Sequence, residues 1–217
     1  PDFVKVPISG LMDSLYCTKR MSNFVEMQPT AQKDITYGMP EGYESTETTH
    51  FSVADKYGTL VSITTTLNGN YGSSVVVEGA GFMLNNEMDD FSAKPGTPNM
   101  FGLIGSKANQ IEPNKRMLSS MTPTIIKKGK KPLFALGSPG GGTIITTVFQ
   151  VVLNLLEYKM DLEQAVNKSR FHHQWTPDIL FLEQNQNDES IVNKLNKIGY
   201  KIERPNFLGC VGAVQIR

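Results

Sequence analysis

An α/β layered domain is the fold class this sequence predicts, on three observations taken together. Two stretches, 48–86 and 124–136, carry the short alternating apolar runs and glycine or asparagine turns of antiparallel strands. An apolar run over 144–158 is long enough for a buried helix, and a second helix start follows at Asp161. Strand-like runs at 178–183 and 211–216 come next, and strands followed by a helix pair and more strands give stacked layers rather than a bundle.

Taken in order, residues 1–47 promise little core: a short helix over 12–24, a polar segment over 28–37, and a turn-rich run over 38–47. Three or four strands are expected over 48–86. Phe51, Val53, Leu60, Val61 and Ile63 alternate with polar residues around Lys56-Tyr57-Gly58, the pattern of a half-buried hairpin, with further turns at Asn68-Gly69-Asn70 and Glu78-Gly79. From 89 to 114 the chain is rich in Pro, Gly, Asn and Ser, and a loop that long inside a domain is functional or disordered. Met100, Phe101, Leu103 and Ile104 at its centre suit a lid that packs over something, and equally suit an ordinary wandering loop.

The next hairpin pairs 124–126 with 133–136 around Lys127-Lys128-Gly129-Lys130-Lys131. Four lysines there could meet a polyanion, but without arginine or aromatic company they read better as a solvated turn. Gly137-Ser138-Pro139-Gly140-Gly141-Gly142-Thr143 then feeds the 144–158 helix, and such a turn presents backbone N–H groups to an anion. The nucleotide-binding Gly-Lys-Thr is missing, and donors at Gly140 and Gly141 could equally stabilise a carbonyl oxygen under attack. Asp161 reads as an N-cap with Gln164 as its capping-box partner. Beyond it lie Arg170-Phe171-His172-His173 and a helix near 189–198. Neighbouring residues on a strand point to opposite faces, so the His172-His173 pair suits packing or hydrogen bonding rather than a shared metal.

Composition sets broad limits. The chain has 217 residues, 39% of them hydrophobic, enough for one domain with a core. The 21 basic and 21 acidic residues balance, which gives no electrostatic case for nucleic acid or an acidic membrane. No run approaches the roughly 18 apolar residues that span a bilayer. Two cysteines, Cys17 and Cys210, could form one bridge in an oxidising compartment but read better as buried free thiols, and no companion cluster suggests a metal site.

The chemistry centres on Glu47-Thr48-Thr49-His50. Thr48 stands where the turn-rich linker meets the first strand, a natural place for peptide cleavage. Cutting the Glu47–Thr48 bond would free an α-amine of pKa roughly 7.7–8.0 beside the Thr48 hydroxyl, able to serve as its general base. A Thr-Thr pair by itself is ordinary in strands, where β-propensity favours it.

The motifs that follow change that reading. Thr48-Thr49-His50-Phe51-Ser52-Val53, Thr66-Leu67-Asn68, Leu84-Asn85-Asn86-Glu87-Met88-Asp89-Asp90-Phe91-Ser92, Arg116-Met117-Leu118-Ser119-Ser120-Met121-Thr122-Pro123 and Gly137-Ser138-Pro139-Gly140-Gly141, in this order, closely resemble the small subunit of γ-glutamyltranspeptidases. Pro1 to Pro7 resembles the tail of that family's large subunit. The resemblance implies the four-layer αββα sandwich of N-terminal nucleophile hydrolases, incomplete in this chain, with residues 1–47 a large-subunit tail and linker and 48–217 the small catalytic subunit. Family members carry a long upstream large subunit and continue past the last strand into a Ser-Asp-Pro-Arg type motif, so a fragment of a larger precursor is expected.

Residue by residue, the resemblance makes Thr48 the nucleophile, freed by self-cleavage after Glu47, and Thr66 the hydroxyl that orients it. Gly140 and Gly141 become the oxyanion donors. Asn68, Glu87 and Asp90 match positions that bind a substrate α-amino group, and Ser119 and Ser120 match donors to its α-carboxylate. Phe101 falls on the lid, where many bacterial relatives have tyrosine, and the family's α-carboxylate arginine comes from the large subunit. Read alone, Asp89-Asp90 would be a surface acidic loop and the serine pair a cap.

The expected reaction is γ-glutamyl transfer from glutathione or a related γ-glutamyl compound to water, an amino acid or a peptide, through a Thr48 ester and without a cofactor. The expected location is periplasmic or extracellular. Poly-γ-glutamate depolymerases and cephalosporin acylases share the chemistry, and a non-catalytic amino-acid-binding fragment is the alternative of another class.

Overall fold

The computed structural model of the chain describes residues 12, 14–22, 24–26, 28, 30, 48–99, 104–174, 177–184 and 189–216. The helix expected over 12–24 is the shorter α1, Ser14–Arg20. Strands β1, Thr48–Ala54, and β2, Leu60–Thr66, form the expected hairpin in a register that sets Thr48 opposite Thr66. Asp55 closes its turn by accepting from the N–H groups of Tyr57 at 2.9 Å and Thr59 at 2.8 Å.

No further regular strand forms over 67–86, against the expectation of three or four. Asn68, Gly72, Ser74, Gly79 and Gly81 all take positive φ, which strands exclude, and an isolated bridge between Val76 and Met83 is what remains of pairing. The second hairpin is present as β3, Thr124–Lys128, and β4, Lys131–Gly137, with a register shift at Ile126/Lys127. Its four lysines lie on an exposed turn.

Helix α2, Ile144–Leu156, and helix α3, Leu162–Asn167, follow the glycine turn, and Asp161 caps α3 by accepting from the Gln164 N–H at 2.8 Å. Strands β5, Phe171–Gln174, and β6, Ile179–Leu182, are antiparallel. Helix α4, Glu189–Lys197, leads to β7, Ile202–Glu203, parallel to β6 and not expected from the sequence. Strand β8, Gly212–Gln215, returns to pair with β4, so the central sheet runs β3-β4-β8.

Adjacent residues of β4 show how the layers stack. Ala135 and Leu136 point to opposite faces and are both fully buried, so this sheet is covered on both sides. On the Leu136 side lie Ile144, Val148, Val151 and Leu155, one stripe of α2, with Ala165 of α3; this cluster is the main core. On the other side sits the β1-β2 hairpin. The order is therefore hairpin sheet, central sheet, helices.

The hairpin turns the opposite face inward from the one its apolar residues suggest. Thr48, His50, Ser52, Ser62, Thr64 and Thr66 face the central sheet, while Phe51, Val53, Val61 and Ile63 are 45%, 50%, 39% and 40% exposed. The inward residues have a physical reason to be polar, since they hydrogen-bond across the seam: the Ser62 hydroxyl donates to the Leu136 carbonyl at 2.9 Å and accepts from the Thr124 N–H at 3.1 Å.

Cys210 is free and exposed rather than buried: Leu208 and Gly209 before it are buried, and its own N–H is held by Ser138 Oγ while its side chain faces outward. The side chain of Cys17 lies outside the described residues.

Leu155 belongs to this core cluster and is 6% exposed. Leu155→Ala is expected to lower unfolding free energy by about 2–5 kcal/mol. Denaturant titration followed by circular dichroism checks this, and a loss below about 0.5 kcal/mol, the size of a surface change, would show the cluster is not the core.

Candidate active site

Thr48 opens β1 on the inward, polar face, and Thr66 ends β2 directly across from it. The chain then turns sharply through Asn68, whose φ of 72° is a left-handed conformation that asparagine tolerates better than most residues. That turn brings the Asn68 N–H to Thr66 Oγ1 at 2.9 Å, so the Thr66 oxygen is fixed as an acceptor. Asn68 is 6% exposed, and its Nδ2 donates to the Asn86 carbonyl. The Gly69 N–H donates to Asn86 Oδ1 at 2.8 Å, which ties the end of β2 to the segment entering the acidic turn.

The acidic turn is one turn of 3-10 helix, Glu87–Asp90. Asp90 has its pKa pushed up to about 6, first by burial and then by the charges of Glu87 and Asp89 beside it. Burial also raises Glu87. Asn109 braces this turn against the serine pair: its Nδ2 donates to the Asp90 carbonyl at 2.7 Å while its Oδ1 accepts from the Leu118 N–H at 2.9 Å. Ser119 follows directly, with its hydroxyl oxygen accepting from the Met121 N–H.

The third component is the glycine turn after β4. Gly140 has φ 137° and Gly141 φ 53°, conformations that disfavour any side chain, and Gly141–Thr143 form a single 3-10 turn leading into α2. Thr143 pins the turn, its N–H and hydroxyl both donating to the Gly140 carbonyl. A buried ion pair backs it. Glu183, 2% exposed, accepts from the Arg170 guanidinium and from the Leu208 N–H at 2.7 Å, and the 208–210 segment it holds packs against Ser138, Pro139 and Gly140.

These three parts converge on one cleft lined by Thr48, Thr66, Asn68, Asp90, Ser119, Ser120, Met121, Gly141, Gly142 and Ile144. Seven residues singled out in the sequence meet there. Glu87 and Gly140 stand behind the lining, Glu87 acting on Asp90 by charge and Gly140 shaping the turn. Phe101 and Glu47, the expected lid and cleavage residues, lie outside the described residues.

The cleft holds about 40 Å³ and adjoins a hollow of about 330 Å³ that shares Asp90, Ser120 and Gly142 with it. The two together reach the size of a small-molecule site. A hollow of about 650 Å³ between α3 and β8 is larger but brings none of these residues together.

Sequence reading missed Asn109, which carries no motif signal of its own, and assigned no role to Met121, which lies within the quoted serine motif and lines the cleft. It read the histidine pair correctly as hydrogen-bonded. His172 engages Thr146 Oγ1 through Nδ1 and Gln174 Oε1 through Nε2, both at 2.8 Å, and His173 Nε2 engages Asp178 at 3.1 Å.

A strand-opening threonine on the seam of two stacked sheets, faced by a glycine turn at a helix start, belongs to the N-terminal nucleophile hydrolase fold, and the chain has that fold. A sequence profile described as Gamma-glutamyltranspeptidase matches residues 1–217, so the chain belongs to the γ-glutamyltranspeptidase family. It is 43% identical to a glutathione hydrolase proenzyme of Escherichia coli over 216 residues, which is 100% of this chain and 37% of that protein. A glutathione hydrolase proenzyme of Pseudomonas aeruginosa is 44% identical over 219 residues, 100% of this chain and 39% of that protein. The crystal structure of a mutant Helicobacter pylori gamma-glutamyltranspeptidase superposes with a TM-score of 0.74 at 51% identity, covering 78% of this chain and 91% of that one. The chain thus spans less than two-fifths of the length of these curated relatives.

The raised pKa of Asp90 sets a pH dependence. With about 6 in the folded protein against an ordinary 3.8, the folded state binds this proton more tightly than the unfolded state does. Stability from this group therefore falls as pH rises from about 4 to about 6 and is level above. Asp90→Asn removes the effect, so the melting temperature of the variant relative to wild type should climb across that window and then plateau. A difference that does not vary between pH 4 and 7 would contradict the buried, crowded environment assigned to Asp90.

Proposed function

We propose that this protein is a γ-glutamyltransferase and glutathione hydrolase, acting through an ester on Thr48 after cleavage of the Glu47–Thr48 bond. The observation that carries the reading is the single cleft in which Thr48 and Thr66 face Asp90, Ser119, Ser120 and Gly141. Acidic acceptors beside hydroxyl donors suit the two poles of an amino acid, an ammonium and a carboxylate. With those poles held at one end, the γ-carbonyl is directed toward Thr48 at the other.

In this reading the freed α-amine of Thr48 takes the hydroxyl proton as Oγ attacks the γ-carbonyl, and the oxyanion is met by N–H groups of the Gly140–Gly141 turn. The proton passes to the departing amine, the γ-glutamyl ester remains on Thr48, and water or an acceptor amine releases it by the reverse arrangement. Thr66 orients the nucleophile. Asn68 joins Asp90 at the ammonium, with Glu87 adding negative charge from behind. Self-cleavage uses the same hydroxyl on the Glu47 carbonyl, an N-to-O shift followed by hydrolysis.

Residues 48–217 would form the catalytic subunit and 1–47 the end of its partner. The exposed apolar residues Phe51, Val53, Val61 and Ile63 support a partner layer over the hairpin, which none of the described residues supplies. We place the protein in the periplasm or outside the cell. Among the described residues, no helix is long and apolar enough to cross a membrane.

The test is intact mass together with γ-glutamyl anilide turnover on the full-length protein. Wild type should cleave before Thr48 and release the anilide; Thr48→Ala should stay uncut and inactive, and Thr48→Ser should cut more slowly. A wild type that never cleaves there would refute the N-terminal nucleophile mechanism.

Asp90→Asn probes the substrate end. Losing one charge-assisted contact is worth about 1.5–3 kcal/mol, so KM for the anilide should rise roughly tenfold to a hundredfold. An unaltered KM would show that Asp90 does not hold the substrate.

A further inference from the structure

His50 lies two residues along β1 from Thr48 and points into the seam between the two sheets. Its ring fills the space that a side chain at Gly137 would need: a Cβ built there would lie 2.3 Å from Cε1 and 2.4 Å from Nδ1. On the neighbouring strand, a Cβ at Gly212 would come 3.2 Å from Cδ2. Two strands of the central sheet thus bear glycine where this ring passes. Gly137 is the last residue of β4, three positions before Gly140.

Both ring nitrogens are engaged, Nδ1 with Thr64 Oγ1 at 2.8 Å and Nε2 with Ser52 Oγ at 3.0 Å. The Ser52 hydroxyl donates to the Gly212 carbonyl at 3.2 Å, and a hydroxyl has one proton to give. Ser52 Oγ must therefore accept from Nε2–H, and Nδ1 accepts from the Thr64 hydroxyl. The result is one directed chain running from β2 through the imidazole to β1 and on to β8. Burial lowers the pKa of His50, which favours this neutral tautomer.

We propose that His50 is a positioning residue, a hydrogen-bonded spacer that fixes the distance between the strand bearing Thr48 and the strand that delivers the Gly140–Gly141 turn. The inference rests on the assignment of Thr48 as nucleophile and of that turn as oxyanion donor. Nucleophile and donors sit on different sheets, and displacing one against the other by about 1 Å can cost on the order of a hundredfold in rate. The residues assigned to the amino-acid end, Asn68, Asp90, Ser119 and Ser120, stand on segments other than β4. Substrate binding should therefore survive the loss of the spacer while the chemical step does not.

The experiment measures kcat and KM for γ-glutamyl anilide per cleaved Thr48 terminus in the full-length protein. His50→Ala should lower kcat roughly tenfold to a hundredfold with KM within about threefold, and His50→Gln, which can keep a donor toward Ser52, should recover part of the loss. Gly137→Ala should give the same kcat-selective loss, because its methyl group must push the ring aside. Combining it with His50→Ala should cost less than the product of the two single losses, since the methyl then enters vacated space.

Cleaved His50→Ala with wild-type kcat overturns the proposal, as does a loss that falls equally on KM and is not relieved by glutamine. Should His50→Ala fail to accumulate, His50→Gln and Gly137→Ala decide by the same kcat-against-KM criterion. A different outcome, anilide turnover retained by Thr48→Ala, would overturn the nucleophile assignment and this inference with it.

Discussion

The arrangement depends on a polar seam between two β-sheets. Apolar contact between sheets is strong but has no direction, and side chains can slide over one another by fractions of an ångström at little cost. Hydrogen bonds fix the offset. Here Ser62 reaches the Leu136 carbonyl and Ser52 the Gly212 carbonyl, with the His50 ring wedged between them. Each such bond contributes only about 0.5–1.5 kcal/mol net, yet misaligning the sheets would leave several polar groups unpaired in a partly buried space, at about 1–3 kcal/mol each. The penalty for sliding thus exceeds the reward for docking. The main stabilisation comes from the other face of the central sheet, where Leu136 meets the apolar stripe of α2.

That division of labour explains where sequence reading succeeded and where it did not. Helix α2, the capped α3 and both hairpins were legible because their signals are local: apolar spacing, an Asp161 cap, turn residues. The face of the first hairpin was not. Alternation reveals that two faces differ, but which one turns inward depends on what lies opposite, and the glycines at 137 and 212 that admit a histidine are some 87 and 162 positions away from it. Over 67–86 alternating apolar residues suggested more strands. The run of positive φ angles overrode them, and it serves the site by folding Asn68 and the acidic turn back onto Thr66.

The candidate site was legible through ordered motifs rather than through any single residue. Thr48, Asp90 and Ser119 each have an ordinary structural explanation alone. Asn109 escaped notice because its role is to accept from one backbone N–H and donate to one carbonyl, and any loop asparagine could do that. Supporting residues of this sort carry no compositional mark, and their identity follows only from the loop geometry that they hold.

In the proposed reading, the acidic turn also favours one kind of ligand over others. Burial and two neighbouring carboxylates push Asp90 toward its neutral form, so near pH 7 the turn carries its negative charge against a repulsive background. On the proposed assignment, an arriving ammonium would relieve that repulsion and gain a charge-assisted contact in a partly desolvated place, while a neutral ligand would gain neither and a carboxylate would add to the repulsion. The serine hydroxyls sit across the cleft, braced to this turn by Asn109, so the two poles are presented at a fixed separation. A group carrying both charges on one carbon satisfies both poles at once. In the proposed reaction this orients the substrate from the end remote from the bond that breaks, leaving the seam to set the geometry at the end that reacts.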